Sequence, residues 1–303
     1  MPEGKRRFQM RGAITALVTP FDAEGAVDRA ALGRMAGWQV EQGIHGIVPC
    51  GTTGEAATLD RDERAAVISE VARAADAKVP VIAGCGGNDT RQTVAAAQAA
   101  ADAGADALLV VSPYYNKPNR KGLVGHYQAV ARATALPVLI YNVPGRTGQN
   151  LGADGILELA EIPGVVGVKE AAADLEQLSS LVAGSPEGFA ILSGDDELAL
   201  PSIALGAQGV ISVVSNEAPR AMALMVESAL AGDFEAARRM HFRLLPLMRA
   251  NFVESNPVPV KAAMALLGHC RADVRLPLAT AGDSTAHDMR LALQSAGIEG
   301  PDR

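Results

Sequence analysis

Cysteine is scarce: the 303 residues hold three, Cys50, Cys85 and Cys270. An odd count with no metal-ligand spacing describes neither a disulfide scaffold nor a zinc site. We read all three as packing thiols, with Cys50 and Cys85 at strand ends. His45, His126, His241, His269 and His287 are scattered and form no pair on one helical face, so no metal site is legible. Positive charge is not in excess either. A net charge of -7 and a pI near 5.3 argue against a nucleic-acid or anionic-membrane surface. No apolar run approaches the length that spans a bilayer. The locally basic start (Lys5, Arg6, Arg7, Arg11) is followed by no apolar signal core. The expectation is a flexible basic N-terminus over residues 1–10 and a cytoplasmic protein. The glycines at Gly84–Gly87 lack the spacing and acidic partner of a dinucleotide loop.

What the chain has is apolar residues in a repeating order. Hydrophobic residues make up 49% and charged ones 20%, the balance of a folded protein with a large core. Short β-rich runs at 13–18, 44–48, 80–84, 106–111, 137–141, 164–169, 189–193 and 209–213 alternate with Ala-rich amphipathic segments. In one of these, 60–77, Asp60 can cap a helix and Glu63 can close a capping box. The strand candidates are continuously apolar, as expected when helices cover both faces of the sheet. Eight such units without a linker predict the α/β class, a (β/α)8 TIM barrel over 11–232. Additional C-terminal helices at 233–252, 257–268 and 284–297 would form an extension, 233–303.

In such barrels chemistry gathers at the C-terminal strand ends. Here those ends carry Gly51-Thr52-Thr53-Gly54-Glu55, Pro113-Tyr114-Tyr115-Asn116-Lys117-Pro118, Tyr141 through Thr147, Lys169-Glu170 and Ser193-Gly194-Asp195-Asp196. Lys169 closes the apolar run Val165-Val166-Gly167-Val168. A lysine taken out of water is easier to deprotonate, and a neutral amine attacks carbonyls to form a Schiff base. Three of the chain's four tyrosines, Tyr114, Tyr115 and Tyr141, lie on this rim. Arg146 can grip a carboxylate with two parallel bonds, and a Gly-Thr-Thr-Gly turn offers N–H and hydroxyl donors to another. The residues alone suggest a Schiff-base enzyme acting on a 2-oxo acid, with the second substrate open.

The motifs G-T-T-G-E (51–55), S-P-Y-Y-N-K-P (112–118), Y-N-V-P-G-R-T-G (141–148), V-G-V-K-E-A (166–171) and S-G-D-D (193–196) occur in that order. Together with G-V-I-S-V (209–213) and N-P-V-P-V-K (256–261), they resemble the dihydrodipicolinate synthase / N-acetylneuraminate lyase family. The resemblance runs from about residue 11 to about 298 and is strongest to the synthase branch. It implies a lyase that condenses pyruvate with L-aspartate 4-semialdehyde on the way to diaminopimelate and lysine. No metal or organic cofactor would be needed, because the imine on Lys169 serves instead. Tyr141 would be the general acid–base, with Thr52 and Tyr115 completing a proton relay. Thr53 would hold the pyruvate carboxylate, Arg146 the semialdehyde carboxylate, and Gly194 and Ile211 would line the pocket. The family also implies a homotetramer in which Tyr115 reaches a neighbouring subunit's site. Thr52-Thr53 and Arg146 favour this branch over relatives that cleave N-acetylneuraminate or 2-keto-3-deoxy sugar acids. A barrel that binds 2-oxo acids without turnover is the reading from another class.

One stretch departs from the lysine-inhibited members of that family. Asn88 and Tyr114 match their inhibitor cleft, but Arg61 and Arg64 replace histidines and Gln92 replaces a glutamate that pairs with lysine's ammonium. Losing that charge-assisted bond removes about 1.5–3 kcal/mol, so weak or absent feedback by lysine is expected.

Overall fold

The eight apolar runs are eight parallel strands in a computed structural model that describes residues 10–299. They are β1 (Gly12–Ala16), β2 (Gly46–Val48), β3 (Ile82–Gly84), β4 (Ala107–Val111), β5 (Val138–Asn142), β6 (Val165–Glu170), β7 (Ala190–Ser193) and β8 (Gly209–Ser212). Hydrogen-bonded neighbours follow the order β2-β1-β8-β7-β6-β5-β4-β3. A parallel bridge from Ile47 to Val81, with the Gly84 N–H donating to the Pro49 carbonyl at 3.0 Å, joins the two ends and closes the barrel.

Alternation along each strand sorts the apolar residues into two shells. Ile14, Val48, Ile82, Leu109, Leu139, Leu192 and Ile211 fill the interior. Ile47, Leu108, Val110, Ile140, Val168, Ile191 and Val210 face outward into the layer beneath the helices. Two buried faces explain why the runs read as continuously apolar.

The surrounding helices are α1 (Arg29–Glu41), α2 (Arg61–Ala75), α3 (Thr90–Asp102), α4 (Arg120–Ala133), α5 (Pro144–Thr147), α6 (Gly152–Ala160), α7 (Leu175–Gly184), α8 (Ala199–Leu205) and α9 (Pro219–Leu230). After the barrel come α10 (Phe234–Ala250), α11 (Val258–Leu266) and α12 (Asp283–Ser295), with α10 packed on α9 and α12. The capping box at Asp60 and Glu63 is present. Helix α2 ends at Ala75 rather than 77, because Asp76 and Ala77 turn to left-handed conformations with φ +50° and +52°.

Other boundaries differ from the sequence reading as well. Strand β2 begins at Gly46 rather than 44, since the Ile44 N–H still bonds the Gln39 carbonyl at the end of α1. The stretch after β5 forms the one-turn helix α5, started by Pro144 at its first position. Residues 1–9 of the expected basic N-terminus lie outside the described residues; Met10, the last of that stretch, is buried with the barrel interior. Among the described residues no helix is long and apolar enough to cross a membrane.

Candidate active site

Lys169 lies at the C-terminal end of β6, 5% exposed, with its side chain in the barrel. The register pairs it with Tyr141 on β5, and its Nζ lies 4.4 Å from the centre of the tyrosine ring. Among the described residues Lys261 is the other buried lysine, fully enclosed, and its Nζ meets Glu55 Oε1 at 2.7 Å. Among the described residues no carboxylate stands within ion-pair distance of the Lys169 amine. Burying an ammonium without a counter-ion is costly, and such groups mark functional sites.

The space beside Lys169 is kept open by Gly194. A Cβ there would come within 2.6 Å of Ala171 Cβ and 3.1 Å of Lys169 Cε, so a side chain would displace the lysine. The Gly194 N–H donates to the Glu170 carbonyl at 2.6 Å, which fixes the turn after β7 against β6. Ile211, fully buried on β8, completes the apolar floor. Glu170 points the opposite way from Lys169. Its carboxylate accepts from Asn142 Nδ2 at 3.0 Å, the Ala172 N–H at 2.7 Å and Gln177 Nε2 at 3.0 Å. Burial raises its pKa and these donors offset the shift in part. The network locks β5 to β6 where Tyr141 and Lys169 project.

A cavity of about 380 Å³ opens beside Tyr141, lined by Thr52, Tyr141, Val143, Arg146, Asn256 and Leu278 among others. That size suits a small-molecule site. Thr53 sits just behind, 2% exposed, accepting a hydrogen bond from Asn256 Nδ2 at 3.0 Å. Arg146 rides on α5, its guanidinium exposed to the mouth. Of the residues singled out from the sequence, Thr52, Tyr141 and Arg146 line this cavity. Lys169 joins it through its contact with Tyr141, Gly194 lies against Lys169, Thr53 is tied to it by Asn256, and Ile211 packs in the same interior cluster as Tyr141. Tyr115 does not join them in the single chain: it is 89% exposed, with φ +70°.

Asn256, Pro257, Pro277 and Leu278 reach this wall from the segments around α11. Sequence reasoning gave them no role; N-P-V-P-V-K was visible as a motif, but no spacing rule ties it to a turn two hundred residues earlier. Cys50 and Cys85 behave as packing thiols, since burial pushes both up to about 12. The Gly84–Gly87 stretch also serves packing: a Cβ on Gly84 would meet the Cys50 carbonyl oxygen at 2.1 Å, and one on Gly86 the Val111 nitrogen at 2.3 Å. A second cavity of about 330 Å³ is lined by Arg61, Arg64, Asn88, Asp89, Gln92 and Tyr114 among others. Among the described residues no three of His, Cys, Asp and Glu gather as metal ligands would.

Comparison with known proteins bears on the family and the fold. The model of the dihydrodipicolinate synthetase family matches residues 9–296. The 4-hydroxy-tetrahydrodipicolinate synthase of Maridesulfovibrio salexigens is 47% identical over 289 residues, covering 95% of this chain and 99% of that one. The crystal structure of dihydrodipicolinate synthase from Aquifex aeolicus superposes with a TM-score of 0.94 at 41% identity, covering 97% of this chain and all (100%) of that one. The chloride-inhibited dihydrodipicolinate synthase from Acinetobacter baumannii, complexed with pyruvate, gives a TM-score of 0.94 at 44% identity, over 96% of this chain and 100% of that one. With its barrel and nearly its full length matched, the chain belongs to the dihydrodipicolinate synthetase family.

Proposed function

We infer that this chain is a lyase that condenses pyruvate with L-aspartate 4-semialdehyde, giving 4-hydroxy-tetrahydrodipicolinate, with Lys169 as the nucleophile. The observation that carries the reading is the buried Lys169 amine, without a carboxylate partner among the described residues, beside the Tyr141 ring at the mouth of a barrel of this family. The amine attacks C2 of pyruvate, and loss of water gives the imine. A methyl proton leaves to give an enamine, whose carbon attacks the aldehyde carbon of the second substrate. That substrate's own amine then adds to the imine carbon and expels the Lys169 amine as the ring closes. The covalent imine supplies the electron sink, so the sequence of steps uses no cofactor.

Tyr141, against the lysine, is the acid–base group for these transfers, and Thr52 in the same cavity wall hands the proton on. Thr53 and the backbone of its turn hold the pyruvate carboxylate. Arg146 at the mouth takes the carboxylate of the semialdehyde. Gly194 and Ile211 shape the floor. Tyr115 completes the relay in the site of a neighbouring subunit, within a homotetramer. Its exposure in one chain and its left-handed backbone support that placement. We place the reaction in the cytoplasm.

The deciding experiment mixes purified protein with both substrates and couples the product to dihydrodipicolinate reductase. NADPH consumption that needs both substrates is the expected result. Its absence with active reductase sinks the reading and moves the sugar-acid aldolases forward.

A further inference from the structure

We propose that Asn256 and Lys261, outside the eight-stranded barrel, are positioning residues that set the Gly51–Glu55 turn in the form that receives the pyruvate carboxylate. The proposal rests on the assignment of Thr53 to that carboxylate.

The turn is held under strain. It runs between two non-glycine residues in the left-handed region, Cys50 at φ +55° and Glu55 at φ +52°. Such residues persist only where their surroundings over-determine them. Nearby, the Thr19 hydroxyl donates to the Gly54 carbonyl at 2.7 Å, and the Glu55 N–H bonds the Thr52 carbonyl at 3.1 Å. The strongest restraint falls on the Glu55 carboxylate. Oε1 takes the Lys261 ammonium at 2.7 Å and Oε2 takes the backbone N–H of Arg275 at 3.0 Å.

Both cations also lie over one ring: Lys261 Nζ is 4.1 Å and the Arg275 guanidinium 4.5 Å from the Phe21 centroid. Arg275 goes on to bond the Gly25 and Thr58 carbonyls and Glu63. Residues around α11 are thereby latched to the loops after β1 and β2.

Asn256 acts on Thr53 directly. Its Nδ2 donates to Thr53 Oγ1 at 3.0 Å, so the threonine oxygen is already an acceptor. Among the described residues no protein acceptor takes the hydroxyl proton, so it stays available, and a carboxylate is the ligand that requires a donor. Asn256 is 6% exposed and lines the same cavity. Without the amide, Thr53 can turn its proton onto a protein acceptor and offer the substrate a lone pair instead.

The test measures KM for each substrate, kcat, and the pyruvate dependence of borohydride trapping on Lys169. The variants are Asn256→Ala, Asn256→Asp, Lys261→Met and the double variant Glu55→Gln/Lys261→Met, each checked for folding by circular dichroism. Asn256→Ala is expected to raise the pyruvate requirement about tenfold or more in both KM and trapping, as loss of an aligned charge-assisted bond does. The semialdehyde KM and kcat should stay within about twofold. Asn256→Asp, which puts a negative charge beside the pyruvate carboxylate, should raise it further.

Lys261→Met leaves Glu55 buried and unpaired and should lose stability. The double variant removes both charges, so it should regain the fold while keeping the raised pyruvate requirement. Pyruvate dependence in Asn256→Ala within about twofold of the parent overturns the proposal, as does a double variant that folds and binds pyruvate normally. If the parent itself forms no adduct on Lys169, the functional reading falls first, and the two failures are told apart.

Discussion

Tyr141 and Lys169 are register partners across β5 and β6, and the Lys169 Nζ stands 4.4 Å from the centre of the tyrosine ring. The pairing puts a phenolic ring and an amine on one inward face, with Gly194 leaving room beside the amine. Their separate contributions are measurable.

Lys169→Ala removes the amine and is expected to abolish borohydride trapping of pyruvate, with turnover falling to background. The intact mass after reduction checks it; an adduct on that variant would remove Lys169 from the mechanism.

Tyr141→Phe keeps the ring that packs beside the lysine and deletes only the hydroxyl. Folding should be unchanged while kcat drops by about 10²–10⁴, the usual contribution of a positioned acid–base group. Single-turnover kinetics should show slowed imine formation; parental rates would place the proton transfer elsewhere.

Arg146→Ala trims an exposed side chain on α5 and should leave the melting temperature near that of the parent. The semialdehyde KM is expected to rise about 10- to 100-fold, as for a lost charge-assisted bond to a carboxylate, with pyruvate trapping unaffected. A change in pyruvate dependence alone would reverse the assignment of the two carboxylates.

Glu217 gives the fold a pH dependence. It is 2% exposed, and burial holds its pKa well above the usual carboxylate range, with the Asn251 amide offsetting and Asp196 reinforcing the shift. In the unfolded chain the group ionises near pH 4.3, whereas in the native state it keeps its proton. The native state therefore binds more protons above that pH, and stability falls as pH rises toward the folded-state value. Asp196 and Glu170, also raised by burial, contribute with the same sign. Glu217→Gln should flatten the decline of the melting temperature as pH rises above the ordinary carboxylate range; an unchanged slope would assign it to other groups.

L-Lysine is expected to inhibit weakly. In the cavity lined by Arg61, Arg64, Asn88, Asp89, Gln92 and Tyr114, the nearby acid Asp89 is committed as the cap of α3, accepting from the Arg91 N–H at 2.9 Å. The two guanidiniums repel an ammonium, and Gln92 offers no charge to hold one. A lysine titration of the coupled assay tests this, and half-inhibition well below millimolar would contradict it.

The barrel was legible because its strands are short, apolar on both faces and spaced by helices with ordinary caps. Asp60 and Glu63 show the limit of that legibility: their capping box fixes where α2 starts, while its end depends on left-handed Asp76, which no residue pattern marks. The site followed from position, since strand ends of such a barrel point to one mouth, and Thr52, Tyr141 and Lys169 are each the polar residue that breaks an apolar run. Lys261 was illegible for the opposite reason. It sits in an apolar helix, and only the folded chain reveals that its partner is Glu55. Tyr115 reads as a site residue in sequence yet faces outward in the single chain.

The pairing of Glu55 with Lys261, 206 residues later, also sets a chronology. During synthesis the acid and its whole turn leave the ribosome long before the cation that will neutralise it. A nascent chain stopped just short of α11 already carries all eight strands, yet its Glu55 has no ammonium to meet and stays in water. The buried pair that fixes the turn after β2 therefore forms only when the last part of the chain folds back over the first.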